Sequence, residues 1–270
     1  MKYLASLFLA FSFLIPFTAS AALADNLVSY YNLDESSGNA ADLVGSNTLV
    51  NSNVTYSTGI VNNGAVFDSS TDKLTVTDAG QSGLDFADDF SISAWINVTA
   101  TGRNHGIVSK GDNGAYQYLF WVDPGNKLVV DISQDGSQTA SQYHRQISDA
   151  AQISSTATWY HVGMTMDLGL NTIILYVNGA SVASSVGYGS GVTAINNGAG
   201  DFSLGYENSF PNKLAGTLDE VGLWSRVLTS SEMTSLYNSG SACAHPFTAC
   251  EGGAATLTPI IGLIRSFWLW

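Results

Sequence analysis

Basic residues are scarce: 9 Lys and Arg stand against 22 Asp and Glu, for a formal net charge of −13. A surface of that sign repels phosphate backbones, which excludes nucleic acid as a partner. Cysteine is scarcer still, with Cys243 and Cys250 the only two. One pair cannot staple a whole fold, and even with His245 beside it falls short of the ligands of a structural zinc site. In an oxidising compartment the pair is expected to close a small disulfide loop. Inside the chain no segment approaches the ~20 consecutive apolar residues of a membrane span. Two catalytic signatures are missing as well. No Ser has Gly at both −2 and +2, and His105, His144, His161 and His245 show neither H-E-x-x-H nor another short metal spacing. Both a nucleophile elbow and a zincin helix are thereby excluded.

What is present begins with an export signal. Lys2 precedes an apolar run from Tyr3 to Phe17, and Ala19-Ser20-Ala21 and Ala22-Leu23-Ala24 follow as small-residue cleavage sites. That pattern over residues 1–24 predicts a secretory signal peptide and a secreted or cell-surface protein. At the other end, residues 248–270 form a small-residue linker and a short apolar tail interrupted by Arg265.

Between them, residues 25–247 alternate with a period of two. Phe90, Ile92, Ala94, Ile96 and Val98 share one face of "FSISAWINV", the signature of a half-buried strand. "FWVDPGNKLVVDIS" and "WYHVGMTMDLGLNTIILYVNG" read as hairpins that turn at Asp123–Asn126 and Asp167–Asn171, and "DFSLGYE" and "LAGTLDEVGLWSR" read as further strands. Strand-length runs with Gly, Asn, Asp and Ser between them, and no alternating long helices, predict an all-β, two-sheet antiparallel sandwich. One short C-terminal helix is expected where Thr229 and Glu232 form a T-x-x-E capping box, with Met233, Leu236 and Tyr237 on one face and Gly240 beyond.

Five segments, in order, resemble the laminin G-like domains of the concanavalin A-like jelly-roll group: "LVSYYNLDESSGNAADLVGSN", "GAVFDSSTDKLTV", "FSISAWI", "WYHVGMTMD…IILYVNG" and "LAGTLDEVGLWSRVLTSSEMTSLYNSG". The resemblance implies a jelly roll, a fold that hosts lectins, adhesion modules and glycan-cleaving enzymes alike. It also implies a structural calcium ion tying the N-terminal loop to the closing strand. The oxygen ligands in matching positions are Asp42, the Gly45 carbonyl, Asn47 and Asp219, with Asp34 a weaker candidate. Glycanases of this group carry E-x-D-x-E or E-x-D-x-x-E on a strand, so that both carboxylates share a face. Here none of Glu35, Glu207, Glu220, Glu232 and Glu251 has Asp two residues later, and no catalytic residue is assigned.

A ligand is therefore expected on a concave sheet face or the loops at one edge, where aromatic rings stack on sugars. The candidates are Tyr116, Tyr118 and Tyr143, with Arg103, His105, Asp112 and Asn113 on the adjoining loop. Trp95 and Trp121, inside strand runs, are expected in the core, and His161 is expected to be structural. The reading is a non-catalytic module for polysaccharide or an extracellular glycoprotein. An atypical glycan hydrolase or lyase and a structural surface adhesin are the alternatives.

Overall fold

A computed structural model describes residues 22–68, 71–111, 115–206, 213–248 and 250. The signal peptide up to residue 21, Asp112, Asn113 and the tail after Cys250 lie outside the described residues. The first five strands are β1 (Leu27–Tyr31), β2 (Val50–Ser52), β3 (Thr55–Thr58), β4 (Asn63–Phe67) and β5 (Lys73–Val76). The middle of the chain forms β6 (Phe90–Val98), β7 (His105–Lys110), β8 (Tyr118–Val122), β9 (Leu128–Ser133) and β10 (Tyr143–Ser148). There follow β11 (Trp159–Asp167), β12 (Thr172–Val177), β13 (Ala180–Ser181), β14 (Ser184–Gly189), β15 (Phe202–Leu204) and β16 (Gly216–Trp224), and then α1 (Ser230–Tyr237).

They build two eight-stranded sheets whose paired strands run antiparallel. The first runs β13-β12-β11-β6-β16-β4-β3, with β1 also on β16; the second runs β14-β10-β9-β8-β7-β15-β5-β2. Alternation does the sorting. Phe90, Ile92, Ala94, Ile96 and Val98 of the first sheet meet Tyr118, Phe120, Val122, Leu128, Val130 and Ile132 of the second in one core. Side chains of the other parity face outward.

The two outer faces are treated differently. On the first, Tyr30, Tyr176 and Trp224 are covered by α1 and the segments on either side of it, through Leu228, Met233, Leu236, Cys243 and Phe247. The capping box forms, Glu232 N–H donating to Thr229 Oγ1 at 3.2 Å and Thr229 N–H to Glu232 Oε2 at 2.7 Å. The helix stops at Tyr237, earlier than Gly240 suggested, because Asn238 takes the left-handed conformation at φ 45°, which Asn tolerates. The Cys243–Cys250 disulfide is present, with Cα atoms 5.8 Å apart. Packing also begins before residue 25: Leu23 is buried, and its carbonyl accepts from Trp224 Nε1 at 2.6 Å.

Candidate functional site on the open sheet face

The four residues proposed as calcium ligands do not form one set. Asp42 is saturated by its own loop: Oδ1 accepts from the backbone of Tyr30, Val44 and Gly45, and Oδ2 from Asn47 N–H and Ser29 Oγ. Asn47 is buried, its amide exchanging hydrogen bonds with Ser82 N–H, the Ser82 carbonyl and Ser29 Oγ. Asp219 answers to a different loop, Oδ2 accepting from Ile60 and Val61 N–H at 2.8 and 3.1 Å and Oδ1 from Glu220 N–H. Lone pairs spent on N–H groups are not free for a cation. No group of three or more His, Cys, Asp and Glu among the described residues could hold a metal ion.

Asp219 and Glu220 sit at a bulge, where the register jumps from Asp219↔Trp95 to Gly222↔Ser93 and Glu220 has φ 49°. Burial and the Glu220 charge push Asp219 up to about 8. Burial pushes Glu220 up to about 7, with the Asp34 charge adding to it and the Tyr30 hydroxyl, which donates to Glu220 Oε2, opposing. Perturbed carboxyls of this kind often mark catalysis, but Asp219 is wholly enclosed and both its oxygens hold backbone.

The expected ligand loop is not one site either. Arg103 is exposed just before β7 and half-buried Tyr116 lies just after its far end. Six residues at ~3.3 Å each separate them by about 20 Å. Three of the candidates, Tyr118, His105 and Tyr143, are buried. Tyr118 points into the core, its hydroxyl donating to the Leu84 carbonyl at 2.9 Å. His105 is buried, its Nδ1 accepting from Ala215 N–H at 3.2 Å, and burial drives its pKa down to about 4. Trp95 is buried as expected, stacked on Tyr237 with centroids 5.7 Å apart. His161 is likewise buried, with Nε2 2.8 Å from Ser93 Oγ.

Tyr143 leads instead to the outer face of the second sheet, over which no α-helix lies among the described residues, although the Tyr143 ring is itself buried. Trp121, expected inside, is the correction that matters: Phe120 and Val122 take the core side, so Trp121 is turned outward and half-buried. Its Nε1 donates to Asp131 Oδ2 at 2.9 Å. Arg145, the register partner of Asp131, closes on the same carboxylate with Nε–Oδ1 at 2.6 Å and Nη2–Oδ2 at 2.9 Å. The guanidinium lies 5.5 Å from the Trp121 ring and 5.9 Å from the Tyr143 ring. Tyr188 of β14, the register partner of Arg145, packs edge-on to Tyr143 at 6.0 Å and is 47% exposed.

This arrangement is rigid. Burial pushes the Asp131 carboxyl up, against the pull of Arg145 and Trp121. Burial disfavours the Arg145 charge, and the Asp131 carboxylate more than restores it. A two-pronged pair with stacked neighbours fixes the guanidinium plane and leaves Nη1 free of these bonds. Chemically the patch offers aromatic rings and an oriented donor. It does not offer an acid–base pair, because Asp131 is the only Asp or Glu in the eight strands of this sheet, and glycoside hydrolysis ordinarily needs two.

A family model for the concanavalin A-like lectin/glucanases superfamily matches residues 68–234. The chain belongs to that superfamily, as a laminin G-like jelly roll. Among solved structures it is similar to the binding domain of Paraclostridial Mosquitocidal Protein 1, at 21% identity and TM-score 0.62 over 80% of this chain and 52% of that one. It is also similar to domain 4 of AbnA, a GH43 extracellular arabinanase from Geobacillus stearothermophilus in complex with arabinotriose, at 15% identity and TM-score 0.55 over 77% and 97%. Trypanosoma rangeli sialidase in complex with sialic acid aligns at 18% identity and TM-score 0.58 over 82% and 34%. Identities this low show the fold alone. The chain spans about half the length of the mosquitocidal binding domain and about a third of the sialidase. No curated protein sequence matches it.

Proposed function

We propose that the protein is an exported, non-catalytic module that binds carbohydrate through the outer face of the second sheet. The observation that carries this reading is the patch of Trp121, Tyr143 and Tyr188 around the Arg145–Asp131 pair. Trp121 and Tyr188, which reach solvent and are held in place over the buried Tyr143 ring, can stack on sugar faces with little entropy to lose, while the guanidinium takes a hydroxyl or ring oxygen. Fold neighbours whose structures hold arabinotriose and sialic acid support a carbohydrate ligand. The lone, locked Asp131 supports binding without cleavage.

Export is proposed from the N-terminal signal alone. Of the two cleavage sites, Ala19-Ser20-Ala21 is favoured, because cutting after Ala24 removes the Leu23 carbonyl on which Trp224 Nε1 rests. N-terminal sequencing of the secreted protein is expected to begin at Ala22, and a start at Asp25 refutes it.

The binding test is a glycan array followed by affinity measurement on the purified protein with and without EDTA. Trp121→Ala is expected to weaken binding about tenfold, equivalent to ~1.4 kcal/mol, with the unfolding midpoint close to the parent's. EDTA is expected to change nothing, since the Asp42 and Asp219 oxygens are already engaged. An array on which no glycan binds, or affinity indifferent to Trp121, overturns the proposal.

A further inference from the structure

The outer face of the second sheet carries a second aromatic group, two strands away from Trp121. The chain leaves β15 at Gly205, whose N–H donates to the Ile107 carbonyl, and Tyr206 is tied back to the sheet by Ser109 Oγ donating to its carbonyl at 2.7 Å. Two ammonium groups lie against the Tyr206 ring: Lys73 Nζ at 5.5 Å and Lys213 Nζ at 5.1 Å from its centroid. Lys73 is on β5 with the outward parity of Thr75, since Leu74 and Val76 point inward. Among the described residues neither lysine forms an ion pair; the salt bridges belong to Lys110, Arg145 and Arg226.

Between Tyr206 and Trp121 the sheet carries small residues, of which Ser109 and Ser203 are buried. Gly106 is the register partner of Trp121, and Ser109, Ser203 and Thr75 continue across β7, β15 and β5. The Ser203 hydroxyl donates to Thr75 Oγ1 and the Thr75 hydroxyl to the Phe202 carbonyl, so these residues spend their donors internally. Two strand spacings of ~4.8 Å set the two aromatic groups about 10 Å apart across the sheet, room for more than one sugar unit. All four cation–aromatic contacts among the described residues lie on this one face: Lys73 and Lys213 with Tyr206, and Arg145 with Trp121 and Tyr143.

In a chain of net charge −13, that concentration of cations is the reverse of the whole. At physiological ionic strength the Debye length is ~8 Å, so a ligand on this face responds to the charges beside it more than to those on the far sheet. Two ammonium groups sharing one ring repel each other, and an oxyanion between them relieves that repulsion. We infer that the face binds an anionic polysaccharide, with uronate carboxylates or sulfate esters held by Lys73 and Lys213 at Tyr206 while a sugar ring further along the chain stacks on Trp121. This rests on the carbohydrate reading of the same face and names its ligand class.

The test titrates the purified protein with polygalacturonate, dextran sulfate and neutral dextran at 50 and 300 mM NaCl. The parent is expected to bind a charged polymer and not the dextran, with affinity falling several-fold at the higher salt. The double variant Lys73→Ala with Lys213→Ala is expected to lose at least tenfold and most of the salt dependence, and Lys73→Arg with Lys213→Arg to retain binding. Binding of polygalacturonate alone identifies carboxylate as the anion, and of dextran sulfate alone, sulfate; either supports the inference. Neutral glycan binding that depends on Trp121 but not on the lysines overturns the anionic assignment and leaves the carbohydrate reading standing. Loss on Trp121→Ala with no change in the double lysine variant does the same. A protein that binds no glycan, charged or neutral, overturns both.

Discussion

The two outer faces of the sandwich are both aromatic, yet only one is closed. On the first sheet, Tyr30, Tyr176 and Trp224 are buried under α1 and the disulfide loop. On the second, Trp121 and Tyr188 keep contact with solvent. The charges explain the difference. The closed side has apolar partners and one short helix laid over them, whereas each open-face aromatic neighbours a cation or a ring that touches one. The guanidinium beside the Trp121 ring keeps that ring wet on one side and discourages an apolar cover. The closed face is thus part of the fold's stability, and the open face is held in shape by the Asp131–Arg145 pair for something outside the molecule.

Mutation of one tryptophan from each face gives the sharpest contrast. Trp224→Ala empties a fully buried site and strands the Leu23 carbonyl, so urea unfolding is expected to show a loss of about 3–5 kcal/mol. Trp121→Ala, on a half-exposed ring, is expected to cost under about 1.5 kcal/mol of stability while removing most glycan affinity. Equal stability losses at the two sites erase the distinction. Next in size is the disulfide. Replacing both Cys243 and Cys250 by Ser releases a loop with seven residues of sequence separation, worth about 2 kcal/mol by chain entropy. Glycan affinity is expected to be unchanged, because the loop covers the opposite sheet; a parallel loss of affinity means that the faces are coupled.

Much of this organisation is legible in the residues. Period-2 alternation marks β6, β8, β9 and β11, and the capping box at Thr229 and Glu232 locates α1 because its signal is local. The open-face site was harder to read for a physical reason. The parity of "YLFWV" and "LVVDIS" already turns Trp121 and Asp131 away from the core, but only register across β8, β9 and β10 brings Arg145 onto them. Tyr188 joins through a bulge at Gly187 that no periodicity announces. Tyr118 and His105 were misplaced as ligand residues because polar neighbours in sequence say little about which side of a strand a ring takes. Asp42 and Asp219 invite a cation in the sequence, and only the structure shows their carboxylates bonded by the N–H groups of two separate loops.

The smallest expected effect is a slope in pH confined to the closed side. Asp219 and Glu220 have folded-state pKa values of about 8 and about 7, above the ~4 of unfolded carboxyls. For acids raised in this direction the folded state holds protons that the unfolded state has released. Their contribution to stability is therefore full below about pH 4 and is lost as pH rises through 7 and 8. His105 and His161, lowered by burial to about 4 and about 3, act in the other direction, but only below the unfolded histidine value of ~6.5. Above pH 6.5 they are close to silent, so the window from 6.5 to 8.5 isolates the carboxyl pair. Stability by urea titration is expected to fall across it, and Asp219→Asn with Glu220→Gln to flatten the curve. Glycan affinity is expected to stay level, since the bulge pair lies on the other sheet. A flat parent profile, or a slope that survives in the double variant, removes the bulge pair as the cause, and an affinity that tracks the slope joins the two faces after all.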